Sequence, residues 1–328
     1  LEELLRAEPL PLFSVDAHRA SDQVDLLGCH RSAARPSTNR RNCLDRAGLP
    51  GGSAARADAG PLVGVGGHCT YNPEPIADFV DLVVLGDGEE AVGDITDVVR
   101  EWKAAGKGAG TRDGLLRELA TVAGVYVPSM YVVEYDGEHI AEIRPRHPEI
   151  PEVIEKRTVA DLAEWPYPKQ QLVPHTEVVH DRLNVEVFRG CTRGCRFCQA
   201  GMITRPVRER PADQVRTMIR DGLARTGYDE VALTSLSTAD FSGIEQVVAD
   251  TVTDTGCGQT SVALPSLRVD AFTVGIAAQI QRARRTGLTF APEAGSWRMR
   301  QVINKLIADD DLYGAVESAY SQGWRRMK

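Results

Sequence analysis

Short apolar runs and helix-length stretches alternate along the first part of the chain. Residues 10–15, 24–28, 61–67 and 81–86 are apolar runs, and the last three end in glycine. Strands alternating with helices predict a parallel sheet joined by crossover helices. Segment 37–48 falls where a crossover helix belongs, but Arg40, Arg41 and Arg46 stand where an apolar stripe should run, so its hydrophobic face is thin. Gly51-Gly52-Ser53-Ala54-Ala55-Arg56 has the composition of a flexible linker. Residues 91–124 predict helices with Val92, Ile95, Val98 and Val99 as one stripe, interrupted by a glycine-rich loop at 106–110. A hairpin is expected near 130–137. Prolines at 145, 148, 151, 166, 168 and 174 then keep the chain extended.

From residue 183 the pattern changes to strand–helix repeats. Strands are expected at 184–188, 230–234, 261–264 and 288–291. The intervening helices carry apolar stripes: Val215, Met218, Ile219 and Leu223; Ile244, Val247 and Val248; Ile276 and Ile280; then Met299, Val302, Ile303 and Leu306. A further helix runs to Gly323, and 324–328 begins a fifth strand. Repeated β/α units of this length predict a (β/α) barrel, whose site forms at the carboxyl ends of the strands.

At 328 residues the chain is long enough for about two domains. The patterns divide it into an α/β domain at 1–124, a connector at 125–182 and the barrel units at 183–328. A net charge of −8 excludes a nucleic-acid-binding polycation. Seven scattered cysteines are no disulfide framework and favour a reducing, cytoplasmic setting. No apolar run reaches the roughly 18 residues of a membrane helix. The chain starts at Leu1 and stops inside an incoming strand, so it reads as a fragment.

The chemistry concentrates in Arg189-Gly190-Cys191-Thr192-Arg193-Gly194-Cys195-Arg196-Phe197-Cys198. Three thiolates on one short loop can converge on a single inorganic centre. Glycines let the loop curl. No fourth cysteine is near, which suits a [4Fe-4S] cluster with one open iron. Zinc is the alternative, with His175 or His180 as fourth ligand, although the C-x3-C half fits the paired C-x2-C units of zinc sites poorly.

This loop resembles the signature of the radical S-adenosylmethionine (radical SAM) enzymes, C-x3-C-x-aromatic-C after the first barrel strand, with Phe197 as the aromatic. The longer string through Gln199-Ala200-Gly201-Met202-Ile203-Thr204-Arg205-Pro206 is similar to a subgroup with an N-terminal cobalamin-binding-type domain. The turns Gly66-Gly67-His68 and Gly86-Asp87-Gly88-Glu89, separated by Asn72-Pro73-Glu74, resemble that domain's turns. Asp16-Ala17-His18 begins the D-x-H-x-x-G cobalamin pattern, but Ser21 stands where its glycine belongs.

The resemblance implies an α/β fold throughout: a Rossmann-like, cobalamin-binding-type domain followed by part of a radical SAM (β/α) TIM-type barrel. It implies a [4Fe-4S] cluster on Cys191, Cys195 and Cys198, S-adenosylmethionine as co-substrate, and cobalamin as a further candidate. Phe197, Ser235, Ser237, Ser266, Arg268 and Glu293 stand at the strand ends where S-adenosylmethionine would bind. The activity implied is reductive cleavage to a 5′-deoxyadenosyl radical, with an electron donor such as flavodoxin or ferredoxin. A zinc-stabilised binding module and a degenerate, inactive relative are the rival classes. Nine arginines between 182 and 220 stand against Glu186, Glu209 and Asp213. They either receive an anionic substrate such as RNA or balance the cluster's charge and cap helices, and the acidic remainder of the chain favours the latter.

Overall fold

The computed structural model describes residues 12, 14, 17–32, 37–106, 111–254, 260–265, 268–269 and 288–328. The chain divides into two units, Leu1–Val159 and Ala160–Lys328, each with its own hydrophobic core. The stretch 125–182 is therefore divided between them rather than standing apart as a connector.

In the first unit β1 (Leu26–His30), β2 (Leu62–Gly66) and β3 (Leu82–Val84) run parallel. The edge strand β4 (Val125–Tyr126) pairs antiparallel with β3. β1 begins two residues beyond the start of its apolar run. The run at 10–15 lies outside the described residues apart from Leu12 and Ser14. Helix α1 (Ser37–Arg46) does form, and Leu44, 1% exposed, supplies its buried contact. Helix α2 (Gly88–Ala104) buries Ala91, Ile95 and Val99, four residues apart and so on one face, whereas Val92 of the expected stripe is exposed. Helix α3 (Arg112–Leu119) is capped by Thr111, whose side chain accepts from Gly114 N at 3.2 Å. The hairpin forms as expected from β5 (Tyr131–Asp136) and β6 (His139–Pro145).

The segment 51–56 is not a free linker. Arg56, 6% exposed, pairs with Asp81 at 2.6 Å and donates to the carbonyls of Pro50, Gly51 and Phe79. Arg112, 7% exposed, pairs with the other Asp81 oxygen at 3.0 Å and also binds Gly60 O and Pro61 O. Asp81 accepts a further bond from Val63 N at 2.7 Å. One buried carboxylate thus ties the 50–61 segment, the head of β3 and the first turn of α3 together. Composition alone made 51–56 look flexible because its anchoring side chain among the described contacts is a single arginine, Arg56.

In the second unit β7 (Leu183–Glu186) ends one residue before β8 (Phe188–Arg189). After the short helix α4 (Gln199–Ile203), β9 (Arg208–Glu209) returns antiparallel to β8. Helix α5 (Ala212–Thr226) buries Val215, Met218, Ile219 and Leu223, as its stripe predicts, and stops at Gly227 in the left-handed region. β10 (Glu230–Thr234) follows, then helix α6 (Ile244–Thr253), which buries Ile244, Val247 and Val248. β11 (Ser261–Ala263) completes a parallel sheet ordered β11-β10-β7, the stepwise progression a (β/α) barrel requires. The helix expected at Ile276 and Ile280 lies outside the described residues. The fourth and fifth strands survive as a parallel bridge between Leu288 and Met327. No closed barrel forms among the described residues.

One helix faces the opposite way from its pattern. α7 (Trp297–Val302) leaves Met299 and Val302 exposed, with Leu306 beyond it, and turns Arg300 inward at 1% exposure. Arg300 donates to Ala294 O at 3.2 Å and pairs with Asp309, the first residue of α8 (Asp309–Ser321). A helix this short does not impose its apolar stripe against a buried guanidinium that reaches Ala294 O and the exposed Asp309 carboxylate.

Replacing Asp81 by Ala leaves two buried guanidinium groups without a counter-charge. The expected cost is roughly 3–5 kcal/mol, read as a lowered urea midpoint of the first unit's transition; an unchanged midpoint contradicts the anchoring role.

Candidate cofactor site

β7 carries the cysteine loop to the carboxyl end of the second sheet. Val187 N donates to Thr234 O at 3.1 Å, so the chain leaves β7 beside the end of β10. Gly190 then turns with φ 99°. A Cβ there would lie 2.5 Å from Pro206 O and 3.0 Å from Thr204 O, so the return of the chain at 204–206 admits only glycine.

Cys191, Cys195 and Cys198 are free thiols, each partly exposed. Cys198 N donates to Cys195 O at 3.0 Å, closing the turn between them. The Cys198 sulfur accepts from Gly201 N at 3.3 Å at the start of α4. Gly201 also brings Cys191 close: a Cβ on it would meet Cys198 Sγ at 3.5 Å and Cys191 Cβ at 3.9 Å. Phe197, between the second and third cysteines, is 55% exposed.

The loop is braced from both sides. On one side Arg193 grips Asp240 with two bonds, Nε to Oδ2 at 2.9 Å and the terminal nitrogen to Oδ1. Ser237 donates to Asp240 Oδ2 at 2.6 Å. Burial pushes the Asp240 carboxyl up, but hydrogen bonds from Arg193 and Ser237 and the charges of Arg193 and Arg268 outweigh it and hold the group below its ordinary value. On the other side Arg196 N donates to Ile303 O at 2.9 Å and the Arg196 guanidinium binds Val302 O at the end of α7. Asn304, with φ 55°, donates to Gly194 O at 2.9 Å. Arg205 Nε binds Cys191 O at 3.2 Å.

The predicted strand-end residues fall as follows. Ser235 shares a hydrogen bond with Thr238 and accepts from Ser237 N, and Ser237 is buried against Asp240. Arg268 is partly buried and its charge acts on Asp240, which links the third strand's loop to this cluster. Glu293 is exposed, sits at φ 68°, and pairs with Lys305 at 2.9 Å. Ser266 lies outside the described residues. Arg193, Asp240 and Asn304 were not singled out from the sequence. Asp240 ends the polar turn after β10, which is a signal; Asn304 carries none.

The two glycine turns of the first unit differ. Gly66, Gly67 and His68 end β2, with His68 exposed. In the turn at Gly86, Asp87, Gly88 and Glu89 the first two residues are bound by the chain itself, while Gly88 faces open space. Gly86, at φ 101°, bridges Arg157, whose backbone would lie 2.0 Å from a Cβ there. Asp87 accepts from Val159 N at 2.9 Å, and Arg157 pairs with Glu90 and Asp94.

Among the described residues no three His, Cys, Asp or Glu side chains are grouped about one metal ion, the three loop cysteines included. His180 contacts Arg182 instead, and His175 is exposed. A tetrahedral zinc would need its thiolates within about 4 Å of one another, whereas each thiolate of an iron–sulfur cubane binds a different iron. The arginines of 182–220 are largely committed. Arg182, Arg189, Arg193 and Arg216 pair with Glu230, Glu186, Asp240 and Asp250, and Arg196, Arg205, Arg208 and Arg210 bind backbone carbonyls.

Two family models match in succession: "Radical SAM proteins, N-terminal" over residues 1–128 and "Radical SAM superfamily" over 185–328. The chain carries a radical SAM domain at 185–328, preceded by a radical SAM N-terminal domain at 1–128. A relative from Methanocaldococcus jannaschii, the uncharacterized protein MJ0966, is 28% identical over 264 residues, covering 80% of this chain and 50% of the relative. The chain thus spans about half the length of that relative. Among solved structures it is similar to the radical SAM methyltransferase TsrM from Kitasatospora setae, which holds cobalamin and a [4Fe-4S] cluster, at TM-score 0.61 and 12% identity over 92% of this chain and 57% of TsrM. It is also similar to the cobalamin-dependent radical SAM enzyme OxsB, solved with aqua-cobalamin and S-adenosylmethionine, at TM-score 0.58 and 14% identity over 90% of this chain and 39% of OxsB. At these identities the likeness is one of fold. No helix among the described residues is long and apolar enough to cross a membrane.

Two outcomes follow from the radical SAM loop's geometry. Gly190→Ala should destabilise the second unit by more than the roughly 1–2 kcal/mol of left-handed strain, because the backbone at Pro206 must also move; wild-type urea melting would contradict it. Asp240 titrates below its ordinary 3.8, so its contribution to stability is complete above that value and is lost as pH falls through the lowered one. The stability gap between wild type and Asp240→Asn should stay constant from about pH 7 to pH 5 and narrow below about 3.8. A gap that widens on acidification would contradict the ion-pair assignment.

Proposed function

We propose that the chain holds a [4Fe-4S] cluster on Cys191, Cys195 and Cys198, binds S-adenosylmethionine at the open iron, and cleaves it reductively. The observation that carries this reading is the loop: three free thiols in C-x3-C-x2-C spacing at the carboxyl end of the first strand of a parallel sheet. The donor set fits the cluster. When bound, the cluster supplies one electron to the sulfonium, giving methionine and a 5′-deoxyadenosyl radical that takes hydrogen from a carbon of the substrate.

The chain's own part is positioning. Ser235 and its neighbouring carbonyls are suited to accept from the ammonium of S-adenosylmethionine. Arg268 is suited to its carboxylate through a charge-assisted pair. Glu293 can accept from ribose hydroxyls once it shares Lys305. Phe197 offers an exposed apolar face on the same loop. Electrons come from a one-electron donor such as flavodoxin or ferredoxin. Cobalamin is a further cofactor on this reading, by similarity to TsrM and OxsB. The turn at Gly86 is filled by 157–159 and does not fit it. At the other turn a Cβ on Gly67 would lie 2.8 Å from Arg31 O, while the His68 side chain is exposed.

The test is turnover. The chain, reconstituted anaerobically with iron and sulfide and given dithionite and S-adenosylmethionine, is expected to release 5′-deoxyadenosine and methionine in equal amounts. Cys195→Ala should release neither. A cluster-loaded wild-type chain that yields no 5′-deoxyadenosine would contradict the cleavage activity.

A further inference from the structure

Arg193 lies between the first two cysteines, and its guanidinium is the loop's link to the neighbouring strand's turn. Asp240 receives two of its bonds, and Ser237, 2% exposed, fixes the carboxylate from behind. The link spans adjacent strands: Glu186 at the end of β7 is in register with Thr234 at the end of β10. Among the described hydrogen bonds this pair joins the cysteine segment to β10's turn by side chains on both sides.

We propose that Asp240 is a positioning residue for the cluster: it holds Arg193, and through Arg193 the backbone between Cys191 and Cys195, while cancelling the arginine's charge beside the metal. This rests on the cluster reading above and deepens it. Two consequences separate it from a merely structural contact. First, both single losses loosen the loop. Second, they change the local charge in opposite senses. Without Asp240 an uncompensated cation stands near the cluster and favours the reduced, more negative state. Without Arg193 an uncompensated carboxylate disfavours it.

The experiment compares wild type, Asp240→Asn, Asp240→Glu, Arg193→Gln and the exchanged pair Arg193→Asp with Asp240→Arg, all reconstituted anaerobically. Iron retained after desalting and the cluster's midpoint potential are read, with far-UV circular dichroism as the check on folding. The expected result is lower iron retention in Asp240→Asn and Arg193→Gln. Their potentials should shift upward and downward respectively. Asp240→Glu, which keeps the charge, should stay near wild type, and the exchanged pair should recover towards it. Wild-type iron and potential in both neutral variants would overturn the proposal. So would shifts of the same sign with no recovery in the exchanged pair, which mark general loosening. If wild type itself takes up no cluster, or Cys195→Ala retains it, the cluster reading fails and this inference falls with it. A loaded wild type with indifferent variants removes only the inference.

Discussion

A loop proposed to carry three metal ligands has to be held in shape before the metal arrives, and this one has little means of holding itself. Within 191–198 the described backbone bonding amounts to a single turn between Cys195 and Cys198. The shape comes from outside: Asp240 on the β10 side, Ile303 and Asn304 on the α7 side, and Arg205 returning to Cys191 O. Each brace arrives from an element later in the chain. Preorganisation of the ligands is therefore a property of the whole β/α unit, and a local motif supplies only the donor atoms.

The two units solve a similar problem with the same chemistry at different depths. In the first, Asp81 stands between Arg56 and Arg112, all nearly excluded from solvent, and gathers three chain segments. In the second, Asp240 pairs with Arg193 at the rim of the sheet, half-buried, beside the cysteines. A fully desolvated carboxylate between two arginines contributes mainly by making any rearrangement costly. A partly solvated one is cheaper to disturb and can be tuned, which suits a group next to a redox centre.

Much of this was legible in the sequence because it rests on periodicity. The stripes of α5 and α6, the stop at Gly227, the strands β2, β10 and β11, and the C-x3-C-x2-C spacing all survive in the structure. What was not legible depends on single long side chains. Arg56 turns an apparent linker into an anchored segment, and Arg300 reverses the face of α7. The glycines of 86–88 looked like a ligand turn, yet Gly86 is glycine because the backbone of Arg157 passes against it. Asn304 occupies a left-handed position that no pattern announces. Of the proposed S-adenosylmethionine residues, Ser237 and Arg268 meet around Asp240, while Glu293 stands at φ 68° with Lys305.

The central claim is that three cysteines hold a cluster with one iron left open. It is tested most directly by the electron paramagnetic resonance of the anaerobically reconstituted, reduced chain, recorded with and without S-adenosylmethionine. The account predicts a reduced [4Fe-4S] signal that changes when S-adenosylmethionine is added and is absent in Cys198→Ala. A chain that binds one zinc and no iron, or a cluster signal indifferent to S-adenosylmethionine, would contradict it.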